Sequence, residues 1–579
     1  MQLNKPNVVT PRRNPIKWAK DAWHLARPYW TSEEKWRAIG LVTSVIILNL
    51  LTVYMSVLFN KWSNSMYDSL QEFHKEIFYK LIIKFCYMAF FYILFQILAF
   101  YLRSFLEIRW RRWMTRAYLE NWLKGHAYYK TRFVENAVDN PDQRISQDIG
   151  AFISSTLGFT LGIISNVVSL FSFIFILWGL SGPISFMLAG HQITIGGYMV
   201  WAALLYAIVG TYITFKIGRP LVKLNFKQET LEADFRFGLM RVREYGENIA
   251  FYNGEEQERQ GLLLRFNGVV NNFFAIVYRQ MKINIFNTGY SQIANIFPLL
   301  VAAPRYFAKV IKLGDLMQIA SAFGQVQGSL SFFIDSYSSL AGWRAVMDRL
   351  YGFQNTISQA QNLPVLAKQD PQNEDYLRVH NLAISLPDAS QPLLSGLSFS
   401  LSSGQHLLIK GASGSGKTTL LRSLAGLWPY VKGEVFQNKT KRELFVAQRP
   451  YLPSVSLRAT ICYPLQDNLP ADAQLEVILR ACGVAALTKR LDEVAEWGKI
   501  LSLGEQQRIA FARVLVNQPD IIYLDEATSA LDEEMEAQLY QLLIERLPYS
   551  AIISVGHRST LAKWHNQELN FNSNREFNG

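Results

Sequence analysis

The chain has 579 residues, of which 50% are hydrophobic, including 37 Phe, 27 Tyr and 14 Trp. This length is too great for one hydrophobic core, and the apolar and aromatic content exceeds that of ordinary soluble proteins. We therefore expect a protein that is partly embedded in a membrane. The formal net charge of +12 is expected on a surface near anionic lipid headgroups, and we expect no nucleic-acid partner.

Residues 1–38 contain eight Lys or Arg but no long apolar core, so we do not expect them to act as a cleavable signal peptide. Aromatic and basic residues alternate here in a way that is typical of an amphipathic segment lying in the membrane interface. The residues that carry this prediction are Trp18, Trp23, Leu25, Tyr29 and Trp30, among Lys17, Lys20 and Arg27.

Six apolar stretches that follow are long enough to cross a bilayer about 30 Å thick. They cover residues 39–59, 81–102, 151–180, 196–215, 284–304 and 316–341. The last two stretches carry repeated polar residues, which either face a water-filled cavity or form hydrogen bonds between helices. These residues are Asn287, Gln292, Asn295, Gln318, Gln325, Gln327 and Asp335.

The charges between these stretches indicate the orientation, because cytoplasmic loops collect Lys and Arg. Residues 103–150 hold nine Lys or Arg and residues 216–283 hold eleven, whereas residues 181–195 hold none. Both termini are therefore expected in the cytoplasm. We predict a membrane domain over residues 39–350 and a polar linker over residues 351–375.

Residues 376–579 are predicted to form a separate nucleotide-binding domain, because Gly411 to Thr418 fit the pattern GxxxxGK[ST]. In such a loop, backbone N–H groups surround the phosphates, Lys417 neutralises phosphate charge, and the Thr418 hydroxyl binds Mg²⁺. The predicted ATP-binding residues of the loop are Gly411, Ala412, Ser413, Gly414, Ser415, Gly416, Lys417, Thr418 and Thr419.

Two carboxylates follow the apolar run that begins at Ile521. Asp525 ends that strand at the carboxyl edge of the predicted sheet, where it can bind Mg²⁺. Glu526 comes next and is placed to orient and deprotonate the attacking water, as a general base must.

Residues 501–505 read Leu-Ser-Leu-Gly-Glu and lie between the phosphate loop and these carboxylates. This order resembles the ABC-type ATPases, with Leu503 where most members have glycine and Glu505 where they have glutamine. Upstream, Leu386 and Pro387 stand where many members place an aromatic residue against adenine, so we expect weak base selectivity.

The ABC resemblance also implies roles for further residues. Gln448 resembles the glutamine that senses the γ-phosphate and binds Mg²⁺, and His557 resembles the switch histidine. Residues 529–532 resemble the loop that crosses between two ATPase domains. At the start of a predicted helix, Ser502, Gly504 and Glu505 are expected to contact the ATP bound by a partner subunit.

Other strings resemble one branch of this family, subfamily D and its bacterial SbmA/BacA-like relatives with a fused ATPase domain. The matching segments run through both halves of the chain, and residues 320–328 look closer to the bacterial group. The segments are Arg109–Trp113, Asn140–Ile145, Glu247–Tyr252, Ala303–Tyr306, Leu427–Pro429, Gln448–Leu452, Tyr463–Pro464 and Ser502–Arg508.

The resemblance implies an exporter-type all-α membrane domain of six helices, followed by an α/β P-loop ATPase domain. We expect a homodimeric, ATP-driven half-transporter in the bacterial inner membrane. Its favoured activity is the uptake of hydrophilic or amphipathic cargo such as cobalamin or peptides. The alternatives are an acyl-CoA transporter, a non-transporting membrane ABC ATPase, and a proton-coupled peptide permease with a vestigial ATPase domain.

Overall fold

The computed structural model describes residues 15–135, 137, 140–188, 191–370, 375–387, 391–438, 440–467 and 469–571. The chain forms two compact units. The first consists of Met1–Glu120 and Val138–Asn355, and the second consists of Asn121–Ala137 and Thr356–Gly579.

Long helices make up most of the first unit, because a chain in lipid must satisfy its backbone hydrogen bonds internally. A two-stranded antiparallel hairpin, β1 (Pro183–Leu188) with β2 (His191–Gly196), joins two of them. The helices are α1 (Pro15–Trp30), α2 (Lys35–Gln71), α3 (Lys75–Leu123), α5 (Pro141–Gln143), α6 (Ile149–Ser181), α7 (Tyr198–Glu244), α8 (Gly246–Phe251), α9 (Glu255–Phe307) and α10 (Leu313–Asn362), while α4 (Ala127–Lys130) lies in the second unit.

Five of the six predicted spans lie within one long helix each, and the fourth, residues 196–215, begins at the last residue of β2, two residues before α7. Among the residues that the structure describes, five helices are long and apolar enough to cross a membrane, namely α2, α3, α6, α7 and α9. The sixth predicted span lies in α10, which has 50 residues but carries more polar side chains.

The amphipathic N-terminal segment is only partly as predicted. Trp23 is 58% exposed, but Leu25 and Tyr29 are buried. The Tyr29 ring stacks on Trp110 of α3, with ring centroids 5.4 Å apart and planes 8° apart. Part of the apolar face of α1 therefore packs against protein, because aromatic side chains on α3 offer it a contact surface. Residues 1–14 and the side chains of Lys17 and Trp18 lie outside the described part of the chain.

Polar side chains join the end of α2 to the start of α10. The Asn60 amide donates to the Gln318 carbonyl oxygen at 3.1 Å, and the Gln318 amide donates to Asn60 Oδ1 at 3.0 Å. Asn64 donates to both Asp315 Oδ1 and Gln318 Oε1, each at 2.9 Å. Gln318 therefore makes hydrogen bonds between helices, which was one of the two predicted uses of polar residues in the last spans.

The second unit contains two sheets flanked by helices. Strands β11, β6, β10, β9 and β8 pair in that order in an all-parallel sheet, and β3, β7, β4 and β5 form a mainly antiparallel one. The elements are β3 (Lys368–Gln369), β4 (Leu377–Ile384), β5 (Leu394–Leu401), β6 (His406–Gly411), α11 (Lys417–Leu424), β7 (Val431–Gln437), β8 (Glu443–Val446), α12 (Leu457–Cys462), α13 (Asp472–Ala481), α14 (Trp497–Ile500), α15 (Leu503–Asn517), β9 (Ile521–Asp525), α16 (Glu533–Arg546), β10 (Ala551–Val555) and β11 (Gln567–Phe571).

The unit boundaries differ from the predicted domain boundaries at two places. Residues 121–137, inside the predicted membrane domain, belong to the second unit, where the Phe133 ring packs edge-on against Trp428 and Tyr430 at 5.2 and 6.0 Å. The predicted linker begins as helix, because α10 continues to Asn362. One face of this helix end is buried, at Phe353, Ile357 and Ala360, and a largely polar composition does not by itself distinguish an amphipathic helix from a loop.

A partly buried histidine in the second unit gives its stability a pH dependence. The His565 ring lies 2.7 Å from the Leu561 carbonyl oxygen through Nδ1 and 2.8 Å from Ser554 Oγ through Nε2. The Tyr540 hydroxyl donates to the same Ser554 oxygen at 3.0 Å. Burial lowers the pKa of His565 to about 4, so the ring is neutral in the folded protein at pH 7.

We predict that acid destabilises this unit through His565. The unfolded chain, with an ordinary pKa near 6.5, binds a proton as pH falls while the folded chain does not, so folding free energy is lost between about pH 6.5 and pH 4. The loss between pH 7 and pH 5 should be about 2 kcal/mol. Thermal unfolding of the purified protein should show a smaller acid-induced decrease in Tm for His565→Gln, and an unchanged pH dependence would contradict this assignment.

Candidate functional site

The phosphate-loop sequence connects β6 to α11 and needs its glycines. Gly411, Gly414 and Gly416 have positive φ angles of 152°, 80° and 102°. A Cβ atom on Gly416 would lie 2.8 Å from Leu393 Cδ2, and one on Gly411 would lie 2.7 Å from the Phe571 carbonyl oxygen. The loop therefore turns tightly into the N-terminus of α11, where backbone amides and the helix dipole favour an anion.

Lys417 lies inside this loop. Its ammonium group donates to the carbonyl oxygens of Gly411 at 2.8 Å and Ala412 at 2.9 Å, and the residue is 5% exposed. Burial lowers the pKa of Lys417, while the nearby Glu526 and Asp525 oppose that shift. The loop thus surrounds the positively charged Lys417 ammonium group, which a phosphate-binding site requires.

The other predicted residues of the loop differ in exposure. Ala412, Ser413 and Gly414 are exposed, whereas Ser415, Thr418 and Thr419 are partly buried.

Thr418 and Asp525, both predicted to bind a metal ion, are in direct contact. The Thr418 hydroxyl donates to Asp525 Oδ1 at 3.2 Å. Burial raises the pKa of Asp525, and the hydrogen bond from Thr418 opposes this shift. A hydroxyl beside a carboxylate supplies the oxygen ligands that Mg²⁺ prefers, so the donor set fits the predicted ion.

The three predicted catalytic residues form one cluster. Gln448 Nε2 donates to Glu526 Oε2 at 2.9 Å, and His557 Nε2 lies 3.3 Å from Glu526 Oε1. The Glu526 backbone has a left-handed φ of 48°, and its N–H donates to the Val555 carbonyl oxygen at 3.0 Å. A non-glycine residue in this region is strained, and such strain concentrates at functional sites.

Helix α15 begins with a capping box. The Ser502 hydroxyl accepts from the Glu505 N–H at 3.3 Å, and Glu505 Oε2 accepts from the Ser502 N–H at 2.9 Å. The Ser502 hydroxyl also donates to Glu505 Oε2, at 2.8 Å, and the hydrogen bonds that this oxygen accepts from the Ser502 hydroxyl and N–H lower the pKa of Glu505. Gly504 packs closely on the loop after β9, since a Cβ atom there would lie 3.2 Å from the Ala530 carbonyl oxygen.

Two buried polar residues near these loops escape a motif-based analysis. The Gln507 side chain is bonded to the loops that carry Gln448 and Ser529. Glu536 of α16 is 1% exposed and accepts hydrogen bonds from the hydroxyls of Thr528 at 2.7 Å and Thr560 at 2.6 Å. Gln507 lies in the segment Ser502–Arg508 that resembles subfamily D, but the sequence assigns it no individual role, and Glu536 carries no sequence signal.

A parallel sheet with a phosphate loop after one strand, an aspartate at the carboxyl end of another, and a capped signature helix defines an ABC-type ATPase domain. The long apolar helices that precede it define a transporter with its membrane and ATPase domains in one chain.

Comparisons with known proteins agree with this class. Residues 25–307 match the family described as ABC transporter transmembrane region 2, and residues 394–529 match the family described as ABC transporter. An uncharacterized ABC transporter ATP-binding protein of Haemophilus influenzae is 39% identical over 96% of this chain and 92% of its own length. The human lysosomal cobalamin transporter ABCD4 is 30% identical over 80% of each chain.

The solved structure of a bacterial Atm1-family ABC exporter with ATP bound has the same fold. Its TM-score is 0.71 at 19% identity, covering 93% of this chain and 94% of the other. The chain belongs to the ABC transporter family, and its relatives include a member of subfamily D. The predictions of an exporter-type fold and of ATP hydrolysis coupled to membrane transport are confirmed.

We predict that Glu526→Gln abolishes turnover and leaves ATP binding intact, because the amide keeps the size of the side chain but cannot accept the proton. Steady-state ATPase activity should fall at least about 100-fold, while the Kd for ATP from equilibrium binding should change little. Glu534→Gln, on the exposed face of α16, is the matched control and should behave as wild type. More than a tenth of wild-type activity in Glu526→Gln would exclude Glu526 as the base.

Proposed function

We propose that the protein is a half-transporter that works as a homodimer and binds two ATP molecules between its two ATPase domains. The sequence contains one phosphate loop and one signature segment. In the proposed arrangement, Lys417 and Asp525 of one subunit face Ser502 and Gly504 of the other. ATP then favours closure of the pair and hydrolysis favours its opening, which alternates the access of a central cavity.

The proposal for hydrolysis rests on one observation, the contiguous cluster of Gln448, Glu526 and His557. Glu526 takes the proton from the attacking water, Gln448 holds the Glu526 carboxylate in position, and His557 contacts its other oxygen. Lys417 neutralises phosphate charge, and Thr418 and Asp525, together with Gln448, would hold Mg²⁺. When bound there, the ion would supply positive charge beside the phosphate oxygens.

A cavity of about 360 Å³ in the membrane unit supports a polar cargo. It lies between α2, α9 and α10, and none of the described residues that line it is charged. Asn295 and Gln327, from the two polar-rich predicted spans, both line it, as a water-filled cavity would require. The polar lining consists of Ser63, Tyr67, Ser291, Asn295, Ser321 and Gln327.

This lining favours cargo with uncharged hydrogen-bonding groups, such as the amides of a peptide or of cobalamin. A relative of this chain is named as a cobalamin transporter. The phosphates of acyl-CoA would meet no cation among the described lining residues, so the acyl-CoA alternative is less well supported. The side chain of Asp335, for which the sequence left both a cavity and hydrogen bonds between helices open, lies outside the described part of the structure.

The setting that we propose is a bacterial inner membrane, with both termini in the cytoplasm and uptake as the direction of transport. The absence of Lys and Arg from residues 181–195 and their abundance in residues 103–150 and 216–283 support this orientation. The bacterial character of residues 320–328 supports a place in the SbmA/BacA-like branch.

A non-transporting ATPase is the rival from another class, and reconstitution separates it from the transporter. Purified protein in liposomes should show ATPase activity that rises when cargo is added, together with ATP-dependent accumulation of that cargo. A labelled panel of cobalamin, peptides and acyl-CoA would identify the cargo class. ATP hydrolysis without transport of any member, or transport driven by a proton gradient alone, would favour the rivals.

We predict that the active protein is a dimer, since each ATP needs elements from two ATPase domains. Mass photometry of the protein in nanodiscs should give the mass of two chains. A stable monomer with full ATPase activity would refute the proposed arrangement.

We predict that Asn295→Leu and Gln327→Leu each reduce uptake of cargo. Loss of one hydrogen bond to an uncharged group should weaken binding about 3- to 10-fold, and basal ATP hydrolysis should change less than about twofold. Gln292→Leu, an exposed glutamine on α9 that does not line the cavity, is the matched control. If all three variants took up cargo as fast as the wild type, the cavity would not be part of the transport path.

A further inference from the structure

Gln507 joins three segments of the ATPase domain. Its side chain is fully buried, at 0% exposure, one turn inside α15. Its Nε2 donates to the Gln448 carbonyl oxygen at 3.1 Å and to Ser529 Oγ at 3.1 Å, and its Oε1 accepts from the Ala530 N–H at 3.0 Å. These partners lie on the loop after β8 and the loop after β9.

Both polar atoms of this carboxamide are satisfied within the protein. A buried donor or acceptor that loses its partner costs about 1–3 kcal/mol, so the three segments are strongly favoured in one relative arrangement. The arrangement reaches the hydrolytic residues in one further step, because Gln448, whose carbonyl Gln507 binds, donates its own amide to Glu526.

We propose that Gln507 is a positioning residue for ATP hydrolysis, which fixes the signature helix, the Gln448 loop and the loop of residues 529–532 relative to one another. It acts through these partners, without touching ATP. Since none of its described hydrogen bonds goes to residues 411–419, its loss should affect turnover more than ATP affinity. The inference rests on the roles proposed above for Gln448 and Glu526.

The first test is Gln507→Met, which keeps the length of the side chain and removes all three hydrogen bonds. We expect kcat for ATP hydrolysis to fall about 10- to 100-fold, because small misplacements of a catalytic group have effects of this size, while KM for ATP changes less than about threefold. The matched control is Gln541→Met, on the exposed surface of α16, where the glutamine bonds only to Glu545 among its described hydrogen bonds. An unchanged kcat, or a fall in ATP affinity equal to the fall in kcat, would overturn the proposal.

The second test, Gln507→Glu, gives a readout that a general loss of stability would not. The ionised carboxylate can still accept from the Ala530 N–H but has no donor for the Gln448 carbonyl oxygen, whereas the protonated acid has one. Burial raises the pKa of a carboxyl group, so the activity of the variant divided by that of the wild type should rise severalfold between pH 8 and pH 6.

Charged groups around this position are present in both proteins, so the ratio cancels their own titration. They are Glu505 and Arg508 on the same helix, Glu526 bonded to Gln448, and Arg558, whose guanidinium lies 3.5 Å from the Ser529 carbonyl oxygen. A flat activity ratio would overturn the proposal even where Gln507→Met fails to fold. The Glu526→Gln measurement is separate, so failure of the base assignment and failure of the Gln507 role are distinguishable.

Discussion

The parallel pairing of β9 with β8 and β10 is the constraint on which the ATPase site depends. Val446 of β8 lies opposite Leu524, and Val555 of β10 lies opposite Asp525. Because parallel strands point the same way, the segments that follow them leave the sheet at one edge. This register brings Gln448 and His557 to the two sides of Glu526, although more than 100 residues separate them in sequence.

Residue identity predicted this part of the site well, for a physical reason. Phosphate and Mg²⁺ need particular chemical groups, and a phosphate loop needs glycine where φ is positive, as at Gly416. Each of these requirements restricts the residue type at a fixed spacing. The contacts of Thr418 with Asp525 and of Gln448 with Glu526 then follow from the order of the strands. The sequence could equally predict the membrane spans in the five described helices that are long and apolar enough to cross a bilayer, because its thickness sets the minimum length and the apolar composition of a span.

The features that sequence analysis missed depend on which side chain meets which across the fold. From the sequence alone, Gln507 is an ordinary helix residue, and only the fold shows that it bonds to the loops of Gln448 and Ser529. Likewise, the sequence indicates that Tyr29 is an interfacial aromatic residue, and only the fold shows that it stacks on Trp110. The polar residues of the last two spans have two different uses that the sequence could not tell apart. Gln318 forms a hydrogen bond with Asn60 of another helix, whereas Asn295 lines a cavity. Composition gives the number of such groups in a helix, but only the packing of neighbours assigns each one to a partner or to water.

Leu503 and Glu505 differ from the residues that most family members have in the signature segment. They change the stability of the first turn of α15, but the helix still begins there. Glu505 forms a complete capping box with Ser502, as the usual glutamine also can, and its negative charge in the first turn of α15 adds a favourable interaction with the helix dipole. Leu503 in place of glycine narrows the backbone conformations available to the unfolded segment. Both changes favour a signature helix that is formed before a second subunit arrives. In the proposed dimer, however, the Ser502 hydroxyl would have to exchange Glu505 for a phosphate oxygen, and the nearby Glu505 carboxylate would repel that phosphate. The signature helix would therefore be better ordered in the separate ATPase domain. In return, two ATPase domains would bind an ATP molecule between them less strongly.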